Sequence, residues 1–374
     1  MTASIGNATD VVEQVLQILD EGSTVATYKF AVLLALLDVC IEATDQHGEP
    51  PVSVTTRQLA DKVIELYWRQ ARPWGGDKPL PLLRQNASKG LEIVARVHEF
   101  RAQVERDAGV TAPVVRARLL DPQGWRRLLD DVEWKLIEMP IPKLQRVRGQ
   151  SANWLYAISW DDGVHAPTAS QVRAYQRNPM LGTFDNQLRL MPGVGFALTR
   201  LHGLLRPFIQ QQWAAKVASL NALEEARLPQ FLFGSERISL EPVRAGLVEL
   251  QKGLCFYCSG KLGKGLTHVD HFLPWARHPD DALANLVAAD QLCNENKRDY
   301  LANHRLVGRW RTRLEAQATG LGQVGAALDW EVGQSRVLGA ARAIYLPLPD
   351  DSRVWAGRHS WEPIDRLSIQ TLLG

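Results

Sequence analysis

The residues best equipped for chemistry crowd between Leu254 and Asn303, where three of the four cysteines fall: Cys255, Cys258 and Cys293. Cys255-Phe-Tyr-Cys258-Ser-Gly260 is a Cys-x-x-Cys turn followed by a glycine. Two thiolates at that spacing can reach one tetrahedral ion, and the glycine permits a tight turn beneath them. A redox pair would call for a strand leading into a helix within a βαβ pattern, which this stretch lacks. Cys293 offers a third sulfur. Asp290, three residues earlier, mirrors the first spacing and is the best candidate for a fourth ligand, with His268 as its rival. The pattern predicts a structural Zn²⁺ site; three buried thiols are the plainer alternative.

Within the same stretch, Asp270 and His271 end a short extended run, Leu266 to Leu273, closed by Pro274. Asn285 follows, then Cys293-Asn294-x-x-Lys297. Metal-assisted hydrolysis needs a water made nucleophilic, charge neutralised on the substrate and a stabilised leaving oxygen. His271 can take a proton from water near neutral pH. Asp270 offers an anionic oxygen and Asn294 a neutral carbonyl oxygen. Such hard donors suit Mg²⁺ or Mn²⁺, and two protein ligands leave positions open for substrate and water. In an ideal strand residues 270 and 271 face opposite ways, so the strand must end or twist there for both to serve one site.

The order Asp270-His271, Asn285 in Asn-Leu-Val, then Cys293-Asn294-x-x-Lys297 resembles the HNH, or ββα-metal, endonucleases. These hold one divalent ion against a phosphodiester in a finger of two antiparallel strands and a helix. Zinc-bearing members add flanking cysteines, as Cys255, Cys258 and Cys293 would here. The phrase Asp-His-Phe-Leu-Pro-Trp is similar to a bacterial subgroup. The resemblance spans about residues 250–305 and implies that Asn285 braces the loop behind His271. It departs at Asp290, where many zinc-bearing members have cysteine.

The resemblance implies a DNA substrate. Arg277, after the Asp-His pair, is placed to bind the backbone beside the cut, and Lys297 either contacts a phosphate or anchors the helix. The helix begun near Cys293 is expected to run on toward Arg305. The bases Arg309, Arg311 and Arg313 beyond it could track phosphates away from the cut. A chain that joins a cutting domain to a separate helical half suggests restriction or phage defence, with partner proteins if it serves such a system. Nicking of structured or recombining DNA, and a zinc-stabilised DNA binder that does not cut, are the rival readings.

The elements that must hold this stretch read as mainly helical with a small α+β part. The chain has 374 residues, 45% hydrophobic and 22% charged, ordinary for a globular protein. The net charge is only +2 but uneven: residues 1–50 carry eight acids against one base, and residues 291–313 six bases against two acids. The N-terminus is polar and acidic, unlike a targeting signal, and the apolar run Phe30–Leu37 is too short to span a bilayer. A cytoplasmic protein without membrane contact is expected.

Tyr28, Val32, Leu36 and Val39 share a helix face, with Cys40 as a core residue. Thr55-x-x-Gln58 reads as a capping box opening a helix through Leu59, Val63, Leu66 and Tyr67. Leu91, Val94, Val97, Phe100 and Val104 mark a third helix. Together with the extended piece Val52–Val54 these could form a winged-helix module or simply a packed bundle. Trp154 to Trp160 reads as a strand, and Phe196 to Val217 as a long amphipathic helix interrupted or kinked at Pro207. The expected division is residues 1–150 for a recognition or regulatory domain and 151–235 for a linking region. The nuclease finger would occupy 236–312, with zinc replacing the core that so small a unit cannot build. Residues 313–374 would be an α/β tail packing on it.

Overall fold

The computed structural model describes residues 5–21, 26–75, 80–87, 93–109, 112–147, 150–161, 163–180, 182–224, 228–234, 239–263 and 265–374. The chain divides into two units: Met1–Cys40 with Pro50–Glu236, and Ile41–Glu49 with Arg237–Gly374. Among the described residues no helix is long and apolar enough to cross a membrane.

The first unit is helical around a small sheet. Helix Tyr28–Glu42 is apolar almost all round, so Phe30 through Leu37 are buried without a break. Cys40 lies wholly inside, and burial pushes its thiol up to about 12. Helix Thr56–Trp68 opens with the expected capping box: Gln58 N–H donates to the Thr55 hydroxyl at 3.1 Å, and Thr55 N–H to the Gln58 side chain at 2.8 Å. It packs on helices Ile93–Ala108 and Pro122–Glu138. Leu91 lies outside the described residues.

Strand Ser53–Thr55 pairs antiparallel with Gln187–Leu190, which also pairs with Tyr156–Ala157. The partner of the extended piece therefore comes from far along the chain, not from an adjacent wing. Beside it, the buried Glu133 carboxylate accepts from Thr56, Arg57, Tyr175 and Gln176. These contacts join residues 1–150 to 151–235 in one unit.

Two local expectations give way. Trp154–Trp160 forms only the two-residue strand Tyr156–Ala157. The Gln145 side chain takes the Leu155 and Tyr156 amides at 2.5 and 3.1 Å and the Tyr156 carbonyl at 2.8 Å, groups a longer strand would use. The long helix breaks at Leu201 into Val194–Arg200 and His202–Asn221, with Pro207 inside the second piece. His202 Nδ1 donates to the Thr199 carbonyl at 2.7 Å and stops the first piece there.

The second unit holds the finger. Thr267–His271 pairs antiparallel with Leu286–Asp290, with Asp270 opposite Val287 and His271 opposite Leu286, and helix Gln291–Lys297 follows at once. Leu286–Ala289 are fully buried, so the second strand is the interior one. The helix does not continue toward Arg305. Arg298 turns to φ 47°, and a new helix, His304–Ala316, starts at the Asn303 cap.

Residues on both sides of position 312 support the finger. In the core, Phe272 stacks on Trp310 at 4.7 Å, and Trp310 Nε1 donates to the Ala284 carbonyl at 2.8 Å. Trp355, in the hairpin Arg353–Gly357 and Ser360–Pro363, packs edge-on against Tyr257 at 5.1 Å and donates to Asn296 at 2.8 Å. Aromatic pairs of this kind add about 0.5–1.5 kcal/mol each beyond their buried area.

Candidate active site and thiol cluster

The first finger strand ends at His271, as its alternation requires. His268 and Asp270 share the face that meets the finger helix. On that helix Asn294 and Lys297 lie one turn apart. Asn294 Nδ2 donates to His268 Nδ1 at 3.1 Å, which leaves the side-chain oxygen Asn294 Oδ1 without a hydrogen bond among the described residues. Lys297 Nζ lies 3.1 Å from Asp270 Oδ2 and donates to the His271 carbonyl at 2.8 Å. Tyr257 Oη donates to the same Asp270 Oδ2 at 2.5 Å. Burial, first, and the Asp270 charge push the Tyr257 phenol well above its usual pKa, which keeps it a donor. Asp270 Oδ1 carries no hydrogen bond among the described residues. Two unspent oxygens, on Asp270 and Asn294, therefore remain for a hard cation, a donor set that fits Mg²⁺ or Mn²⁺.

The His271 ring turns to other partners. Its Nε2 donates to Asp281 Oδ1 at 2.8 Å, and the ring meets Trp275 edge-on at 5.1 Å. With Nε2 carrying the proton, Nδ1 is the basic nitrogen. Asn285 is fully buried and closes the loop behind this histidine. Its Oδ1 accepts from Leu273 N at 2.8 Å, its Nδ2 donates to the Asp280 carbonyl at 3.0 Å, and its own carbonyl accepts from Phe272 N at 2.7 Å.

Next along the loop, Asp280 is buried. Its carboxylate accepts from Arg336 at 2.6 and 3.1 Å and from His278 at 3.3 Å. Burial opposes its ionisation, but the Arg336 charge and the hydrogen bonds from His278 and Arg336 outweigh it and hold the carboxyl well below the usual range.

The three cysteines converge: the sulfurs of Cys255, Cys258 and Cys293 lie within 4.8 Å of one another. Three thiolates at that spacing fit three corners of a tetrahedral Zn²⁺ site. A hydrogen bond from Cys293 is the chief cause that draws the Cys255 thiol below its usual range, against its burial and with help from the Asp290, Cys258 and Tyr257 amides. The tight turn in this knuckle is made by Ser259, at φ 60°, and not by Gly260.

Asp290, the expected fourth ligand, has other partners. It is the N-cap of the finger helix, accepting from Leu292 N at 3.0 Å, and it is paired with Arg358. Arg358 Nε also donates to Cys293 Sγ at 3.2 Å, so a guanidinium flanks the cluster. His268, the other candidate, is engaged with Asn294 and stands apart from the sulfurs.

The expected phosphate track also needs correction. Lys297 is wholly buried against Asp270 and cannot meet a phosphate. Arg313 is 6% exposed, and its three guanidinium nitrogens have no hydrogen-bond partner among the described residues. Arg309 Nη1 donates to the Phe256 and Tyr257 carbonyls at 2.6 and 3.0 Å, which braces the knuckle. Arg311 is spent on the Leu372 carbonyl at 3.1 Å and on Glu315 at 3.0 Å. Two physical reasons apply: residues two apart on a helix face away from each other, so Arg311 leaves the face that Arg309 and Arg313 share, and that shared face is packed against the knuckle or buried. Arg277 is exposed beside the His271 loop.

Sequence reading missed Asp281, Tyr257 and Arg358. The tyrosine between the two cysteines and the Asp280-Asp281 pair in the loop were visible signals. Arg358, sixty-five residues after Cys293, gave none.

Comparison with known families fits this geometry. Residues 255–303 match the family described as HNH endonuclease, which supports a metal-dependent nuclease activity for this part of the chain. The chain belongs to the family described as a domain of unknown function, DUF8808, which matches residues 8–231, more than half its length. No curated protein and no solved structure matches it.

Proposed function

We propose that the chain is a DNA endonuclease that hydrolyses phosphodiesters by a one-metal HNH mechanism. The observation that carries the reading is the His271–Asp281 hydrogen bond at the end of a strand whose Asp270 pairs with Lys297 of the finger helix. His271 Nδ1 takes the proton of the attacking water while Asp281 holds Nε2–H and fixes the ring. Asp270 Oδ1 and Asn294 Oδ1 would hold Mg²⁺ or Mn²⁺. When bound, such an ion neutralises phosphate charge and stabilises the leaving oxygen. Asn285 keeps the His271 loop in place, and Arg277 contacts the backbone next to the cut. Cys255, Cys258 and Cys293 hold a structural Zn²⁺, with Arg358 as an outer partner to the thiolates.

A finger of this size reads mostly backbone, so selectivity for a sequence or a modification falls to the first unit, which we assign to recognition or regulation. A cutting unit joined to such a unit suits restriction or phage defence, by analogy with chains of that organisation. Supercoiled plasmid incubated with the purified protein and Mg²⁺ or Mn²⁺, with and without EDTA, tests the reading. Metal-dependent linear product supports double-strand cutting, and open circles support a nickase. Intact plasmid that is nonetheless bound would leave a zinc-stabilised DNA binder.

A further inference from the structure

Tyr257 stands between the two cysteines of the knuckle, yet its hydroxyl leaves the knuckle and reaches Asp270. The neighbouring Phe256 packs on Phe272 at 5.8 Å and needs no polar partner. A buried phenol does need one, and this phenol has chosen a carboxylate. The knuckle backbone that carries it is fixed twice: Phe256 N donates to the Ala288 carbonyl at 3.0 Å in the second finger strand, and Arg309 holds the Phe256 and Tyr257 carbonyls. The Lys297 ammonium lies 5.7 Å from the Tyr257 ring centroid and is shared with the same carboxylate oxygen.

We infer that Tyr257 is a positioning residue that couples the thiol cluster to the catalytic cation site. This rests on the HNH reading of Asp270 as a metal ligand. A carboxylate bound through one oxygen rotates freely unless its other oxygen is held. Tyr257 and Lys297 both hold Oδ2, so the direction of Oδ1 is set by where the Cys255–Cys258 turn places the phenol. Partners of this kind typically change metal affinity or activity by about 10–100-fold when removed. The knuckle therefore does more than carry the thiols: it places the Tyr257 hydroxyl and, through it, the Asp270 ligand.

The test is Tyr257→Phe in the full-length protein, which removes one oxygen atom and keeps the ring. Mn²⁺ binding is read without DNA from the electron paramagnetic resonance of the free ion, with zinc content and melting temperature measured on the same samples. The expected result is a Kd for Mn²⁺ raised about tenfold or more, with zinc content unchanged. Mn²⁺ binding as tight as in the wild type overturns the coupling. If the wild type shows no Mn²⁺ site that Asp270→Ala removes, the HNH reading itself falls and takes this inference with it, so the two failures are distinct.

Should Tyr257→Phe lower the melting temperature or the zinc content, the same substitution is made on an Asp270→Asn background. The coupling predicts a smaller drop there than in the wild type, because the acceptor is already weakened. An equal drop on both backgrounds means that Tyr257 acts by packing alone and overturns the inference.

Discussion

His271 Nε2 donates to Asp281 Oδ1 across 2.8 Å, ten residues apart in sequence and on opposite sides of the loop that Asn285 closes. The pairing decides which nitrogen can act. A carboxylate that accepts from Nε2 leaves Nδ1 as the ring's acceptor, and it holds the imidazole against rotation.

Asp281→Asn should therefore cut slowly while folding normally. The amide can present its NH₂ group to Nε2 and favour the other tautomer, which places the proton on Nδ1. A loss on the order of 10²-fold in single-turnover cleavage is expected, with melting temperature within a few degrees of wild type. Cleavage at the wild-type rate would show that Asp281 has no part in the reaction.

Arg277 and the 309–313 arginines should respond differently to charge reversal. Arg277→Glu should weaken binding to all duplexes alike. It should also lower the slope of log affinity against log salt by roughly 0.9 for each phosphate no longer neutralised. Reversing Arg309, Arg311 and Arg313 together should leave that slope nearly unchanged and make the second unit easier to proteolyse, because Arg309 braces the knuckle and Arg313 is buried. A flattened slope in the triple variant would restore them to the DNA surface.

Two substitutions around the thiol cluster separate ligand from cap. Cys255→Ser should reduce bound zinc and lower the melting temperature sharply, since the ion's binding energy is part of folding. Asp290→Ala should keep the zinc and lose about 1 kcal/mol, the value of an N-cap. Zinc analysis and thermal melting of both variants decide the matter. Full zinc in Cys255→Ser, or an Asp290→Ala protein without zinc, contradicts the assignment.

Much of the candidate site is legible in the chain because its parts sit within about fifty residues. Strand, turn and helix periodicities alone bring Asp270, Asn285 and Asn294 together on one finger. What is not legible depends on partners chosen by packing. Lys297 looks like any solvated lysine until the first finger strand covers it with Asp270. The basic run 309–313 looks like a phosphate track until packing claims it, with Arg309 on the knuckle carbonyls, Arg311 on the Leu372 carbonyl and Arg313 buried. Asp290 has the spacing of a ligand, but the helix it begins claims its carboxylate for Leu292 N. In the first unit, Pro207 suggests a kink, while the break comes from His202 bonding to Thr199.

Acid should weaken the second unit through Asp280. Its carboxyl is held well below the usual range, so it stabilises the fold above the unfolded-state value of about 3.9, and that contribution fades as pH falls through the folded value. Asp280→Asn should lose about 1–3 kcal/mol at neutral pH, because Arg336 keeps Glu331 but loses its buried charge-assisted hydrogen bonds to Asp280. The variant's melting temperature should also depend less on pH below about 4. Melting curves across that range give the comparison, and parallel pH profiles for the two proteins would show that Asp280 is not ionised in the fold.

The central claim is that His271 is the base that activates water. Its most direct test is single-turnover plasmid cleavage by His271→Ala, beside DNA affinity and melting temperature. The mechanism predicts cleavage reduced by about 10²–10⁴-fold, with binding and melting close to wild type, because the imidazole acts on the transition state and contributes little to the core. Cutting that persists above a few per cent of the wild-type rate would contradict it.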